Sequence, residues 1–192
     1  MEAKRLSRAD WINAAMKVLS TGGIELVRVD RLAKKLNITR GSFYYHFASR
    51  EDLLESMLET WRVRATEAVV KDLKDKSIES KEQLVRLMVL PLQGAKSAEA
   101  AYTEISIRAW GRRNEVAKRV VDEVDRYRVG FVADLFVELG HNRPRANDLA
   151  YLVYSYIIST SLVDVSSPKS VRQERAERIL NMLVEDVVET DT

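Results

Sequence analysis

The chain has 192 residues, 46% of them hydrophobic and 31% charged, which suits one or two globular domains with a sizeable core. Cys is absent, so disulfides and thiolate metal sites are excluded and a reducing compartment fits. No run is apolar enough to span a membrane, and the first residues do not lead into a signal peptide, so the sequence reads as a cytoplasmic protein with no membrane partner. The net charge of +2 is uneven: residues 1–50 carry ten Lys and Arg against four Asp and Glu, and the rest is net acidic. A nucleic-acid-binding end gives that asymmetry, and so does a solvated charged face.

Ser7 to Asp10 form a capping box in its acidic form, predicting a helix to about Ser20. Trp11, Ile12, Ala15, Val18 and Leu19 make its apolar stripe. Thr21-Gly-Gly23 stops it, and Ile24, Leu26 and Val29 return the chain to the core. Lys4, Arg5 and Arg8 are within reach of a nucleic-acid backbone, or are simply a free basic terminus.

Residues 28–47 organise the rest. Leu32, Ala33 and Leu36 repeat at helical spacing and bury one face of a short helix. Asn37 tolerates the turn, Ile38 plugs the core, and Thr39 caps a second helix. That helix carries Phe43 and Phe47 one turn apart. With both rings buried, about 100° per residue turns Gly41 and Tyr45 outward, sets Ser42 beside them, and leaves Tyr44 and His46 on the flanks. A helix in a DNA major groove needs this pattern: outward residues meet base edges, flanking ones reach phosphates, and small ones permit close approach. A helical hairpin that happens to carry surface aromatics is the bland alternative.

Thr39-Arg-Gly-Ser-Phe-Tyr-Tyr-His-Phe47, preceded by Leu32-Ala-Lys-Lys-Leu36, closely resembles the helix-turn-helix of TetR-type transcriptional regulators. The resemblance runs from about Leu6 to about Arg64. It implies a helix-turn-helix DNA-binding domain over residues 1–50 and a C-terminal helical domain over 51–192 that binds an effector and dimerises. It also implies a ligand-responsive repressor that binds a palindromic operator as a homodimer. The residues carried onto DNA are Arg28, Thr39, Arg40, Gly41, Ser42, Tyr44, Tyr45, His46 and Arg50. Arg28 or Val29 stands where relatives often begin the first helix with Thr or Ser; Arg28 reaches a phosphate but cannot accept a capping bond. Asp30 lies where some relatives have a base-reading cation.

Ser49-Arg-Glu-Asp52 is a second capping box, starting a long helix to about Lys76 with Leu53, Leu54, Met57, Leu58 and Trp61 inward. Further helices are predicted at about 80–94, 98–112, 114–139, 144–165 and 170–189. Pro91 kinks or ends the first of these, and Gly140 to Pro144 is a stop and restart. No strand-like alternation appears, so the fold class is all-α. The last two helices are apolar over wide faces, including Leu149, Val153, Tyr156, Ile157, Ile179, Leu180, Leu183 and Val187. They pack within the monomer or pair with a second copy as a four-helix interface; the resemblance favours the second.

Family members hold a small-molecule effector among these helices. Candidate lining residues are Trp61, Met88, Leu92, Tyr102, Ile105, Arg108, Trp110, Tyr127 and Phe131, unless they are ordinary core; an inward Arg108 favours an anionic ligand. Glu104 is one turn away and can instead pair with it. His46 and His141 do not make a metal pair, and neither a Gly-rich phosphate loop nor a nucleophile elbow is present. No catalytic residue, metal or cofactor is assigned. A helical interaction module whose basic end binds an acidic protein, and a helical-pocket enzyme, are the other function classes.

Overall fold

The computed structural model describes residues 6–67, 78–92, 94–160, 162–163 and 166–185. Every regular element among them is helical, so the fold is all-α. The helices are α1 (Arg8–Gly22), α2 (Val29–Lys35), α3 (Arg40–Tyr44), α4 (Arg50–Arg62), α5 (Ser80–Val89), α6 (Ala95–Gly111), α7 (Glu115–Glu138), α8 (Arg143–Ser159) and α9 (Lys169–Glu185). They form two compact units: Met1–Ala65 with Tyr102–Asp122, and Thr66–Ala101 with Glu123–Thr192.

In the first unit α1 packs against α2 and α4, and α2 against α3. The capping box at Ser7 is complete: its Oγ accepts from Asp10 N at 3.3 Å, and Ser7 N donates to Asp10 Oδ2 at 2.8 Å. Trp11, Leu19, Leu32, Phe43, Phe47, Leu53 and Met57 are fully buried, each contributing on the order of 1.5–3 kcal/mol of transfer free energy. Between α1 and α2 the core contact differs from expectation. Ile24, Leu26 and Val29 are only half-buried, and Val27 is the fully buried residue. A 3₁₀ turn at Ile24–Leu26 rotates the chain so that Val27, not its neighbours, points inward. α4 leads into a π-helical turn, Val63–Glu67; the predicted continuation to Lys76 lies outside the described residues.

In the second unit α5 packs on α8 and α9. Its core joins Leu84, Met88 and Leu92 to Val132, Phe136, Leu149, Ala150, Val153, Ala176 and Leu180. Pro91 ends α5, whose chain continues as a 3₁₀ turn at Leu90–Leu92, because the proline ring has no N–H and clashes with the carbonyl four residues back. After α7, Gly140 at φ 99° closes a Schellman turn, His141 N to Phe136 O and Gly140 N to Val137 O. Asn142 then caps α8 through Arg145 N at 3.0 Å. α8 stops at Ser159 rather than about residue 165. Ser159 and Thr160 hydroxyls donate to the Tyr156 and Ile157 carbonyls, the local competition that favours helix ends.

Three residues assigned to a dimer interface, Leu149, Val153 and Leu180, belong to this unit's own core. α8 must bury one face against α5 before it can offer another. The apolar side chains these helices leave exposed include Tyr151, Leu152, Val171 and Met182. Tyr156, Ile157, Ile179 and Leu183 are half-buried; Val187 lies outside the described residues.

Candidate nucleic-acid interface

The turn between α2 and α3 follows from Asn37. At φ 55° it is the one non-glycine residue with positive φ among the described residues. Asn37 N then reaches Lys34 O, and Ile38 N reaches Ala33 O at 3.0 Å, completing a Schellman motif that ends α2 abruptly. Thr39 is the N-cap residue of α3, but its side chain makes no capping bond. Ser42 N instead bonds to the Thr39 carbonyl at 3.2 Å. Ile38 is half-buried rather than a core plug.

Phe43 and Phe47 stack at 5.2 Å between centroids, and Trp11 meets Phe43 edge-on at the same distance. This aromatic floor fixes the orientation of α3. Above it Tyr45 is 70% exposed and Tyr44 57%. Tyr44 lies edge-on to Phe43 at 5.2 Å, and Tyr45 edge-on to His46 at 5.0 Å. Thr39, Arg40 and Gly41 are exposed and Ser42 is half-buried. α3 is short, ending at Tyr44, with Tyr45 and His46 in the turn that follows.

Four cationic or imidazole groups have protein partners. Arg28, exposed, lies 3.4 Å from Asp30, and its helix has no side-chain cap, as its chemistry requires. His46 Nε2 lies 3.0 Å from the Leu6 carbonyl. A carbonyl only accepts, so Nε2 carries the proton in this contact and ties α3 to the start of α1. Arg8 Nη2 bonds to Ser56 at 2.6 Å and Asp52 at 3.3 Å, with its guanidinium 4.7 Å from the Phe47 centroid. Arg50 donates Nε to Val27 O at 2.7 Å and Nη2 to Ile24 O at 3.1 Å. Lys4 and Arg5 lie outside the described residues. Apart from the Arg28–Asp30 pair, sequence spacing cannot reveal these contacts, because their acceptors are backbone carbonyls or side chains tens of residues away.

The nine candidate effector-lining residues are divided between the units. Trp61, Tyr102, Ile105, Arg108 and Trp110 belong to the first; Met88, Leu92, Tyr127 and Phe131 to the second. Met88 and Leu92 are packed core, whereas Tyr102 and Tyr127 are about half exposed. Arg108 bonds to Glu104 through Nη2 at 2.9 Å and Nε at 3.2 Å, with both side chains largely buried. Its charge already has a counterion, which removes the argument for an anionic ligand. Phe131 lines an open groove of about 610 Å³ with Ile78, Glu79, Ser80, Gln83, Asp134, Leu135 and Glu138. Periodicity did not expose this groove, since its walls come from helices some fifty residues apart in sequence.

The buried aromatic floor, the tight turn and the exposed α3 surface define a helix-turn-helix unit. Residues 12–57 match the family model of bacterial regulatory proteins, tetR family. The chain is 30% identical over 84 residues, 44% of its length, to the fatty acid metabolism regulator protein of Bacillus subtilis. That match spans 43% of the relative, so the chain aligns with under half the length of this curated protein. A TetR transcriptional regulator from Legionella pneumophila superposes with a TM-score of 0.76 at 16% identity, over 95% of this chain and 98% of that one. A transcriptional regulator from Rhodococcus sp. Rha1 gives 0.74 at 16% identity, over 96% and 97%. Residues 12–57 thus match the helix-turn-helix region of the tetR family, and the chain as a whole shares the fold of these regulators.

Proposed function

We propose that the protein is a sequence-specific DNA-binding transcriptional regulator, a ligand-responsive repressor that binds a palindromic operator as a homodimer. One observation carries this reading: Phe43 and Phe47 are fully buried while Tyr44 and Tyr45, between them, are mostly exposed. Residues 1–50 form the reading head, and residues 51–192 the effector-binding and dimerisation body. Gly41, Ser42 and Tyr45 meet base edges. Arg28, Thr39, Arg40 and Tyr44 take phosphates, with His46 and Arg50 at the edges of the same surface. Two heads in a symmetric dimer enter major grooves about 34–36 Å apart, or a larger whole-turn spacing.

The self-association face is the outer side of α8 and α9. There Val171 and Met182 lie three turns apart on α9, and Tyr151 and Leu152 stand exposed on α8. Tyr156, Ile157, Ile179 and Leu183 extend it. The effector is an apolar or amphipathic small molecule that binds the non-DNA spacing of the heads more tightly than the operator spacing. α4 carries the change from Trp61 to the reading head. The protein works in the cytoplasm, needs no metal or cofactor, and is not an enzyme.

The test is a footprint of the full chain on the DNA upstream of its own gene. Two protected half-sites related by a dyad support the reading. Absence of protection on any DNA, with capture of acidic proteins instead, favours a helical interaction module.

A further inference from the structure

The loop Gly23–Arg28 joins α1 to α2, and besides its 3₁₀ turn it holds itself by one further backbone bond, Arg28 N to Leu26 O at 3.0 Å. Its 3₁₀ turn closes on Leu26 N to Gly23 O at 3.3 Å and Val27 N to Ile24 O at 3.1 Å. The helix it feeds, α2, begins with no side-chain cap. Two arginines from other elements hold it. Arg50, at the start of α4, donates to the carbonyls of both Val27 and Ile24, and its side chain is about one-third exposed. Arg113, just past the end of α6, places Nη2 3.0 Å from Glu25 Oε1.

The corner bearing Arg113 is itself well fixed. A Cβ on Gly111 would stand 3.4 Å from the Lys118 backbone, in van der Waals contact, so the end of α6 and the start of α7 lie close together here. Asn114 Oδ1 accepts from Ala117 N at 2.9 Å and caps α7. Arg113 N returns to Trp110 O at 2.9 Å. All of these residues lie in the first compact unit.

We infer that Arg50 and Arg113 are positioning residues for DNA recognition, which act through the Gly23–Arg28 loop to set how α2, and α3 packed on it, meet the groove. The inference rests on the DNA-binding reading above. It assigns Arg50 a different duty from a phosphate ligand, because two of its donor nitrogens already face carbonyls. It also gives the α6–α7 corner a route to the reading head that does not run along α4.

The experiment uses the full chain, the DNA fragment upstream of its own gene, and a random duplex of equal length, over a range of salt. Arg113→Gln, Glu25→Gln and their double variant each lose the same factor for the fragment, about two- to five-fold, the range of an exposed ion pair. The swap Glu25→Arg with Arg113→Glu restores it. Arg50→Lys keeps the charge but cannot span two carbonyls, and it loses about ten-fold or more with an unchanged salt slope. Amide exchange at Val27 and Arg28, measured without DNA, quickens in the single variants and recovers in the swap. Additive losses for Glu25 and Arg113, unaltered exchange, or wild-type affinity in Arg50→Lys would overturn the inference. A wild-type chain that does not distinguish the fragment from the random duplex removes the DNA-binding reading instead, and the exchange data still decide whether the two arginines hold the loop.

Discussion

Tyr45 and Phe43 are two residues apart and should fail in opposite ways. Phe43 has no exposure and sits between Trp11 and Phe47, each at 5.2 Å. Truncation to Ala removes a buried ring and leaves a cavity, at about 3–5 kcal/mol. Against a typical total of about 5–15 kcal/mol, that is a large share of the stability and lowers the melting temperature markedly. Tyr45 is 70% exposed, so Tyr45→Ala changes stability by no more than about 0.5 kcal/mol. Its effect falls on DNA: about 1–3 kcal/mol of base discrimination, or roughly 5- to 150-fold in affinity. Thermal unfolding followed by circular dichroism measures the first quantity; fluorescence anisotropy with operator and random duplexes measures the second. If Tyr45→Ala melted as early as Phe43→Ala, or lost affinity equally for both duplexes, the division between building and reading residues on α3 would be wrong.

Met182 is 63% exposed on the outer face of α9; Met182→Lys should raise the dimer dissociation constant in sedimentation without lowering the melting temperature of the protomer, and an unchanged dimer removes α9 from the interface. Deleting α9 would be a poorer test, since Ala176 and Leu180 are core. Burial, aided by the Arg145 charge, lowers the affinity of His141 for a proton. The unfolded chain takes that proton near pH 6.5, so this residue's contribution is intact above that value and declines as pH falls toward the lower folded pKa. Wild type should therefore lose more stability than His141→Gln between about pH 7.5 and 5.5, and parallel unfolding curves would exclude the effect. Operator DNA should weaken effector binding by the same factor that effector weakens operator binding; equal effector affinity with and without saturating operator would refute the switching mechanism.

Local chemistry made much of the fold legible. Ser7 and Asp10 spelled a cap that is present atom for atom, Asn37 marked a turn that needs positive φ, and Phe43 and Phe47 at one-turn spacing fixed which way Tyr45 faces. Where the outcome turned on distant partners, the sequence was silent or misleading. Arg50 read as a DNA-binding cation and Arg8 as a backbone contact or part of a free basic terminus, because nothing local shows the Val27 carbonyl or Ser56 hydroxyl they meet. Leu149 and Leu180 lie on apolar stripes that fit an interface or a core equally well, and only the position of α5 decides for core. The candidate effector residues were chosen by apolar spacing, which buried packing also produces, so Met88 and Leu92 could not be told from a pocket wall. Ser159 and Thr160 ended α8 early through hydroxyl bonds that compete weakly with a helix and are hard to weigh in advance.

The measurement that bears most directly on the DNA-binding reading is competition anisotropy of the full chain at fixed salt, with the upstream DNA fragment labelled and unlabelled random duplex as competitor. A specific regulator should hold the fragment against about a thousand-fold or greater excess of random duplex. It should also show a salt slope proportional to its phosphate contacts on both DNAs. Displacement of the fragment by an equal amount of random duplex would show that the surface of α3 reads no sequence, and would contradict the account.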